Sequence, residues 1–458
     1  MKYLRTKNAF TQQDICQYVM DENSDVEYKI SQARDAFQQW KRQPIQDRVT
    51  HLKQALDYFE QHRDEIAINI TQEMGKPLIQ SHNEINTFLE RAYFLCDIAE
   101  SALKQQILPD NPGFHRQIAH EPLGVVFIMA AWNYPLLVAI NGVMTALLAG
   151  NTVILKHSSL TPSIGQHFEK AFAHLAGIRP ILQHVIVDHK TATRIIEQGD
   201  IDHIIFTGSV NAGRQIYAKT AHRIIDCQLE LGGKDAAYVA EDADLSSAVA
   251  SIVDGAIYNA GQSCCGIERV YVHASHYQTF IDEAKKILTS YKLGDPKQTD
   301  TQLGPLAKPG SSELLSQHIT DAIDKGAELI CGGHARTIGR AIFFEPTLLS
   351  NVNHQMLVMQ EENFGPILPV MSVDNDEQAW KLIDDSSYGL TAAIYTTNKQ
   401  RAMDFSQQVN AGTVFMNRCD YLDPALPWTG VKNSGKGSAL STYGFYSLTR
   451  RKAIHFKL

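Results

Sequence analysis

The sequence predicts an α/β protein built as two lobes around a cleft, and three observations support this fold class. The chain has 458 residues, which is more than one small core accommodates. From residue 123 onward, short buried-strand patterns alternate with helical patterns, as in a parallel, doubly wound sheet. Gly232 and Gly233 interrupt a strand-rich passage, and the alternation resumes after them. We therefore expect two α/β lobes that meet near these glycines.

The N-terminal region predicts helices that cover another part of the protein. Between residues 24 and 104 the apolar residues recur at spacings of three and four. Ser24, with Glu27 after it, predicts a capping box where the first helix begins. Residues 108–113 contain two prolines and a glycine that end the helical region, and residues 115–120 alternate like an edge strand or a hairpin arm.

Strand and helix patterns alternate between residues 123 and 221. The strand patterns lie at 124–130, 152–155, 184–187 and 203–206, and the helical patterns lie at 136–148, 161–175 and 212–221. In a sheet of this kind, ligands bind in a crevice at the carboxyl ends of the strands, and a nucleotide is the usual ligand. The turns after these strands are therefore the first places to search for a binding site.

The second half of the chain repeats this alternation and predicts the second lobe. Its strand patterns lie at 270–272, 328–331, 367–371, 392–395 and 413–416, and its helical patterns lie at 277–291 and 312–325. Residues 448–458 are basic and weakly alternating, which is typical of an edge strand.

Composition and charge argue against several classes of protein. The formal net charge of −8 and the pI near 6.1 disfavour a general nucleic-acid-binding surface. No apolar run is long enough to cross a bilayer, and the first residues lack an apolar signal region. The seven cysteines form no C-x-x-C pair, and the 18 histidines show no metal-binding cluster. We expect a cytoplasmic protein with no metal site and no membrane or nucleic-acid partner.

Residues 258–272 place a thiol in a turn of small residues, between a helical pattern and a β-branched strand. A thiolate is an effective nucleophile where donors and open space surround it, and a turn with exposed backbone N–H groups offers both. Cys264 and Cys265 are the candidates. Without further context, two small buried hydrophobic residues are an equally good interpretation.

Three other short stretches carry candidate groups. Gly208 and Ser209 lie in a strand-to-helix turn, where backbone N–H groups bind a pyrophosphate, although the usual dinucleotide fingerprint is missing. Glu230 lies among apolar residues at a strand end, where desolvation raises a carboxyl pKa toward the range of a general base. The amide of Asn133, held between aromatic residues, is a candidate oxyanion donor. The ordinary alternatives are a plain βα turn, a solvent-facing glutamate and a turn-forming asparagine.

Five motifs, taken in their order, resemble the aldehyde dehydrogenase superfamily over nearly the whole chain. They are Trp132-Asn133-Tyr134-Pro135, Phe206-Thr207-Gly208-Ser209, Leu229-Glu230-Leu231-Gly232-Gly233-Lys234, Asn259-Ala260-Gly261-Gln262-Ser263-Cys264 and Glu361-Glu362-Asn363-Phe364-Gly365-Pro366. The resemblance implies a non-acylating, NAD(P)-dependent enzyme similar to bacterial semialdehyde and aliphatic aldehyde dehydrogenases. It also implies a Rossmann-like cofactor domain, a catalytic α/β domain and a small β arm for oligomerisation.

The resemblance implies roles for individual residues. Cys264 matches the nucleophile, Glu230 the general base, and Asn133, with the backbone N–H of Cys264, the oxyanion donors. The cofactor-binding residues that it implies are Trp132, Lys156, Ser159, Gly208, Ser209, Leu231, Glu362 and Phe364. An aldehyde is then oxidised to a carboxylic acid through a thiohemiacetal and a thioester on the cysteine, with NAD or NADP as the acceptor.

Three positions differ from the pattern of many relatives. One is Ala439, where relatives often have a glutamate that gives a proton route out of the site. Ser159 stands where relatives commonly have a glutamate that binds both ribose hydroxyls, so we expect NADP to be tolerated or preferred, with an NAD preference as the alternative. Asn141 stands where relatives acting on succinate semialdehyde have an arginine, which disfavours a dicarboxylic semialdehyde by this route. Arg418 is a second source of positive charge. Candidate walls for an apolar aldehyde are Tyr134, Leu137 and Trp428.

The resemblance also implies domain boundaries and an assembly. The cofactor domain comprises residues 1–107 and 123–231, the catalytic domain residues 232–430, and the arm with the C-terminal tail residues 108–122 and 431–458. A homodimer or homotetramer is expected. The competing functions are a specific succinate-semialdehyde dehydrogenase, a CoA-acylating enzyme and a non-catalytic binding homologue. The retained catalytic residues favour an enzyme, and the glutamate favours hydrolysis over transfer to CoA.

Overall fold

The computed structural model describes residues 2–458 except residues 174 and 176. The strands up to residue 230 are β1 (Tyr3–Lys7), β2 (Asp14–Val19), β3 (Gln106–Ile107), β4 (Phe114–Pro122), β5 (Val125–Ala130), β6 (Thr152–His157), β7 (Leu182–His184), β8 (His203–Thr207) and β9 (Asp226–Glu230). The later strands are β10 (Asp235–Val239), β11 (Ile267–His273), β12 (Glu328–Cys331), β13 (Ala335–Ile338), β14 (Ala341–Phe344), β15 (Thr347–Ser350), β16 (Ile367–Val373), β17 (Tyr388–Gly389), β18 (Thr391–Tyr395), β19 (Thr413–Met416), β20 (Val431–Lys432), β21 (Gly435–Lys436) and β22 (Thr449–Lys457).

The helices alternate with these strands along most of the chain, so the α/β fold class is confirmed. They are α1 (Asn23–Trp40), α2 (Ile45–Gln61), α3 (Arg63–Met74), α4 (Leu78–Ala102), α5 (Pro135–Leu148), α6 (Pro162–Phe172), α7 (His189–Gln198), α8 (Val210–Thr220), α9 (Leu245–Ile257), α10 (Tyr277–Ser290), α11 (Ser311–Asp324), α12 (Leu357–Gln360), α13 (Asp376–Asp384), α14 (Lys399–Gln408) and α15 (Ser441–Ser447).

The first sheet has the strand order β21-β9-β8-β5-β6-β7. Strand β5 pairs in parallel with both β6 and β8. The chain therefore runs outward through β6 and β7 on one side, and through β8 and β9 on the other. A reversal of this kind opens a crevice at the carboxyl ends of β5 and β8, because the connections leave in opposite directions.

Helices α1 to α4 cover this sheet, as the N-terminal apolar pattern predicts. Their shared core includes Trp40, whose indole N–H donates to the carbonyl of Leu147 at 2.8 Å. The predicted start of the first helix is wrong: α1 begins at Asn23, because Glu22 and Asp25 form the capping box and leave Ser24 inside the helix.

Two other local predictions need correction. The strand expected at 184–187 is β7, which spans Leu182–His184. These three residues pair with β6, and residues 185–187 lie outside the strand. The helix expected at 161–175 is α6, which ends at Phe172. Residue 174 of that expected helix lies outside the described residues.

The second sheet has the strand order β12-β15-β16-β11-β10-β18-β19 and is parallel except for the edge strand β12. The chain passes into it directly after β9. Strands β10, β11 and β16 are neighbours near its centre, and their side chains form a second core with the helices between them. The two sheets are thus joined by the short segment that contains Gly232 and Gly233.

A three-stranded antiparallel sheet, in the order β22-β4-β3, forms a separate arm. The C-terminal strand β22 pairs with β4 from Thr449 opposite Pro122 to Lys457 opposite Phe114. The N-terminal hairpin of β1 and β2 has no counterpart in the sequence-based expectations. Among the described residues, no helix has the length and apolar character needed to span a membrane.

Candidate active site

The carboxyl edge of the first sheet brings several predicted residues together. Trp132 and Asn133 follow β5, while Gly208 and Ser209 follow β8, so the two turns flank the reversal of strand order. Glu230 is the last residue of β9, which pairs with β8. These residues therefore line one crevice although they are far apart in the chain.

The amino edge of the second sheet forms the other side of the crevice. The motifs at 231–234, 259–264 and 361–366 immediately precede β10, β11 and β16, which are adjacent strands. Because neighbouring parallel strands begin at the same edge of a sheet, the three motifs lie side by side. This edge carries Cys264, and the carboxyl edge of the first sheet carries Glu230.

A tight loop holds Cys264 between α9 and β11. Asn259, Ala260 and Gly261 have φ values of 56°, 56° and 67°, so the backbone stays left-handed for three residues. The side-chain amide of Asn259 stabilises this conformation by donating to the carbonyls of Asn133 and Gln262, each at 3.0 Å. The same contact joins the cysteine loop to the turn that carries the predicted oxyanion donor.

The glycine at 233 permits close packing on the cysteine loop. A Cβ on Gly233 would lie 2.3 Å from the backbone oxygen of Cys264, and a backbone atom has no room to move away. Gly261 packs in the same way against Gly365, at 2.3 Å from a hypothetical Cβ. The small residues of the three motifs therefore allow three loops to approach one another closely.

A buried ion pair fixes the same loops, and sequence reasoning missed it. Lys234 is 1% exposed, and its Nζ donates to Glu268 at 2.6 Å. Glu268 also accepts the backbone N–H groups of Asn363 at 2.7 Å and Phe364 at 2.8 Å. Removing either partner of such a buried pair leaves an uncompensated charge, so Lys234 and Glu268 act as positioning residues.

The two neighbouring cysteines have different environments. Cys264 is partly exposed, and its side of the loop faces both cavities described below. Cys265 is 4% exposed, and its Sγ donates to Asp420 Oδ1 at 2.9 Å. A hydrogen bond with Cys264 and burial together raise the pKa of the Cys265 thiol well above its usual range. An approaching substrate therefore meets Cys264 first.

Glu230 has the environment expected of a general base. Burial raises the pKa of its carboxyl group to about 7, although the hydrogen bond from Gln228 and the positive charge of Arg91 act in the opposite direction. The amide of Gln228 donates to Glu230 Oε1 at 2.8 Å. A carboxylate with this pKa accepts a proton near neutral pH and releases it again readily.

Asn133 lies beside these two groups with its side-chain amide free to act. It is buried, and no described residue forms a hydrogen bond with its side chain, whereas its backbone carbonyl accepts from Asn259. The side chain lines the same cavity as Cys264. An amide N–H held this way is suited to a developing oxyanion.

One cavity, of about 300 Å³, opens between the two sheets. The predicted residues that line it are Trp132, Asn133, Gly208, Ser209, Glu230, Leu231, Cys264, Glu362 and Phe364. Trp132 and Phe364 form an aromatic wall, edge to face, with ring centroids 5.5 Å apart. Glu362 accepts the N–H of Gly233 at 3.0 Å, and a Cβ on Gly232 would lie 2.5 Å from its carboxylate.

Lys156 and Ser159 are predicted cofactor residues that do not line this cavity. They lie at the carboxyl end of β6 and in the turn after it, on the neighbouring strand of the same crevice edge. Ser159 is exposed there. Because the dinucleotide is an extended ligand, its adenosine end lies farther along the sheet than its nicotinamide end. Lys156 and Ser159 therefore lie one strand away from the turn that carries Trp132 and Asn133, and their cofactor roles stay a prediction.

A second cavity, of about 280 Å³, extends from Cys264 and Glu230 toward the other side of the crevice. Its apolar walls include Tyr134, Leu137, Val138, Leu422 and Trp428. Two polar residues that sequence reasoning did not select also line it. Arg91 donates from Nη1 to Asn141 Oδ1 at 2.8 Å, and both side chains are buried.

Arg418 does not line this cavity. It is exposed, and its guanidinium stacks on Tyr421, with the central carbon 3.8 Å from the ring centroid. The positive charge of the pocket therefore comes from α4 and not from the loop after β19. Lys308, near Glu362 in the cofactor cavity, is a further charged residue that the sequence motifs did not indicate.

Two α/β sheets with a crevice at a reversal of strand order, and a cysteine that lines two cavities, are typical of a nicotinamide-dependent oxidoreductase with a thiol nucleophile. A family model described as the aldehyde dehydrogenase family matches residues 2–454. A probable succinate-semialdehyde dehydrogenase [NADP(+)] of Synechocystis is 32% identical over 451 residues, which cover 98% of this chain and 99% of that protein. The crystal structure of lactaldehyde dehydrogenase from Escherichia coli is 29% identical, with a TM-score of 0.96, and the match covers 100% of this chain and 96% of that one.

The chain belongs to the aldehyde dehydrogenase family. It is an oxidoreductase that converts an aldehyde to the carboxylic acid through a cysteine thiohemiacetal and thioester, with NAD or NADP as the acceptor. A succinate-semialdehyde dehydrogenase [NADP(+)] of Deinococcus radiodurans is also similar, at 30% identity over 450 residues, covering 98% of this chain and 94% of that protein. The cofactor class and the enzyme class expected from the sequence are thereby confirmed.

Proposed function

We propose that Cys264 is the nucleophile, Glu230 the general base, and Asn133 Nδ2, with the backbone N–H of Cys264, the oxyanion site. The observation that carries this assignment is that Cys264 and Glu230 each line both the cofactor cavity and the substrate cavity. A group that reacts with the aldehyde and stands beside the cofactor has to lie at this junction. Asn133 lines the cofactor cavity together with them, from the turn after β5.

The geometry supports a mechanism in which different residues carry out the attack, the stabilisation of the oxyanion and the hydrolysis. The thiolate of Cys264 attacks the aldehyde carbon, and the two N–H donors stabilise the oxyanion of the thiohemiacetal by about 3 kcal/mol each. A nicotinamide held beside Trp132 and Phe364 would supply the acceptor for the hydride of that carbon. Glu230 then takes a proton from a water molecule that attacks the thioester, which releases the carboxylic acid and the Cys264 thiol.

Glu230 favours hydrolysis of the thioester, and transfer of the acyl group to CoA is the alternative. The experiment is an assay of purified protein with a series of aldehydes and both cofactors, with and without CoA, in which acid and reduced cofactor are quantified together. We expect equal amounts of both products without CoA. A requirement for CoA, or the absence of oxidation for every aldehyde, would reject this function.

We propose that Lys156, Ser159, Gly208, Ser209, Trp132, Leu231, Glu362 and Phe364 bind the cofactor. Ser209 caps α8, where the first N–H groups of the helix are open to a pyrophosphate. Glu362 lies next to Gly232 and Gly233, where its carboxylate is free to accept ribose hydroxyls. The aromatic wall of Trp132 and Phe364 is suited to a nicotinamide ring.

Replacing Ser159 with glutamate tests the cofactor preference. A carboxylate at this exposed position repels a 2′-phosphate and accepts from free ribose hydroxyls, while serine donates to the phosphate. We expect the ratio of kcat/KM for NADP to that for NAD to be above one in the native protein and to fall by about 100-fold in S159E. Ser159→Ala is the matched control and should lower the ratio only a few fold. A large NAD preference in the native protein would contradict this prediction.

We propose the domain division of 1–107 with 123–231 for the cofactor, 232–430 for catalysis, and 108–122 with 431–458 for the arm and tail. The change of sheet between β9 and β10 supports the second boundary. Strand β21 pairs with β9, so part of the tail contributes to the first sheet. The seven free cysteines are consistent with a reducing cytoplasm as the place of action.

We propose that the arm makes a homodimer or homotetramer. Ile107, Phe456 and Leu458 are exposed on or beside the three-stranded sheet, and water-exposed apolar side chains on a sheet edge favour pairing with a second copy. Light scattering after size-exclusion chromatography should give the mass of two or four chains. Replacing Phe456 with aspartate should lower that mass, and a native monomer would contradict the proposal.

A further inference from the structure

Arg91 is a buried cation that forms no salt bridge among the described residues. It is 3% exposed on the inner face of α4, and among the described residues its side chain makes one hydrogen bond, to Asn141 Oδ1, and no salt bridge. Its Nε is buried with no partner. Burial lowers the pKa of the guanidinium to about 10, so it is still charged at neutral pH.

An unpaired buried guanidinium is unfavourable for folding, since it has lost water and gained no carboxylate. Two other buried arginines, Arg48 and Arg269, also form no salt bridge among the described residues, but backbone carbonyls accept from the Nε and a terminal nitrogen of each. Arg91 differs from them because it lines the cavity that begins at Cys264. A charge kept at such a place in the absence of a protein partner is typical of a ligand-binding group.

Asn141 completes a two-residue donor set. Its oxygen accepts from Arg91, which orients the amide so that Nδ2 has no partner among the described residues and faces the same cavity. A guanidinium and an amide side by side match the geometry of a carboxylate, which accepts two or more N–H donors at once. The walls between this pair and Cys264 are mainly apolar.

We propose that Arg91 and Asn141 bind a carboxylate at the far end of the substrate, so that the enzyme selects aliphatic aldehydes that carry a terminal carboxylate. This inference rests on the proposed function, since it requires the aldehyde carbon at Cys264. The cation that binds the carboxylate then lies on α4. In relatives that act on succinate semialdehyde an arginine stands at the position that the neutral Asn141 occupies here.

Other ionisable groups face the same cavity, and the negative charges of Glu230 and Glu84 act on Arg91 without forming a salt bridge with it. Asp254 and Asp420 come from the second sheet's side of the crevice, and Glu230 lies near the cysteine. Burial raises the pKa of Asp254, and it raises the pKa of Asp420 and of Glu230 to about 7, which favours their neutral forms. Asp420 also accepts from Cys265 and Ser263. Glu84 pairs with Lys76 and leaves Arg91 unpaired.

The test compares an ω-carboxy aldehyde with its methyl ester, which has nearly the same shape and no charge. The native protein should favour the acid over the ester by about 100-fold in kcat/KM, mainly through KM. In Arg91→Gln this ratio should fall to near one. Arg418→Gln is the matched control, since Arg418 is outside the cavity, and it should leave the ratio unchanged. A loss of preference in R418Q but not in R91Q would overturn the proposal.

Asn141→Asp is a second variant, and it gives the buried cation a carboxylate partner. The new carboxylate pairs with Arg91 and repels the substrate carboxylate, so the ratio should again fall to near one.

If Arg91 acted only by lowering the pKa of Glu230, R91Q would slow acid and ester equally and shift both pH profiles; that result would overturn the proposal. A native enzyme that oxidises ester and acid equally well would overturn it too, while leaving the proposed function intact. Failure to oxidise either compound would reject the proposed function itself.

Discussion

Replacing Cys264 with serine is expected to lower kcat/KM for aldehyde oxidation by at least about a thousandfold. A serine hydroxyl has a far higher pKa than a thiol and is a weak nucleophile without a dedicated base beside it. A serine ester would also replace the thioester, which is the activated species that water attacks. Initial rates of cofactor reduction, measured over a range of aldehyde concentrations, report the loss.

Cys265→Ser is the matched control for this prediction. Cys265 is buried, and its Sγ donates to Asp420, a hydrogen bond that a serine hydroxyl reproduces. We therefore expect activity within a few fold of the native protein. Alkylation with iodoacetamide should label the partly exposed Cys264 before the buried Cys265 and abolish activity in step with the labelling of Cys264. If activity survived in C264S and disappeared in C265S, the nucleophile would be Cys265, and the assignment to Cys264 would be wrong.

The positions of the predicted catalytic residues follow from features that a sequence displays. Asn133, Ser209 and Glu230 lie at the carboxyl ends of strands, and each strand is recognisable as a short apolar run. Once those runs are placed in a doubly wound sheet, their carboxyl ends share one edge. Cys264 precedes a β-branched strand, and the structure places that strand at the centre of the second sheet. Local patterns are therefore sufficient to identify the crevice.

Arg91 was not predicted, because its role depends on a partner from another helix. A signal was nevertheless present in α4, where Glu84, Phe88, Arg91 and Leu95 follow spacings of four, three and four and are all buried. Two charged residues on the apolar face of a helix are unusual and indicate a buried pair or a binding site. What the spacing does not reveal is that Glu84 pairs with Lys76 and leaves the arginine to the cavity.

The buried pair of Lys234 and Glu268 shows a second limit of prediction from the sequence. The lysine ends a recognisable motif, and its charge next to two glycines is typical of an exposed turn. The structure buries it, because three loops converge on Glu268 and the pair supplies donors and acceptors that the loops need. Contacts between residues far apart in sequence decide such details, and a single sequence carries no direct record of them.

Replacing Glu230 with glutamine is expected to stall the enzyme after one turnover. The amide keeps the shape of the side chain and its contact with Gln228, but it is unable to accept a proton from water. Formation of the thioester does not need this base, so reduced cofactor should appear in a burst of about one equivalent per active site. The steady-state rate should then be lower than that of the native protein by about 100- to 1,000-fold.

The pH dependence of the steady state provides the independent check on Glu230. Burial raises the pKa of this carboxyl group to about 7, so the ionised form that acts as a base increases as the pH rises through that value. In the native protein kcat should therefore rise toward a plateau at alkaline pH when hydrolysis limits the rate. In E230Q this rise should disappear, while stopped-flow measurement of the burst should show that oxidation continues. An E230Q enzyme with the native steady-state rate and the native pH profile would show that another group deprotonates the water.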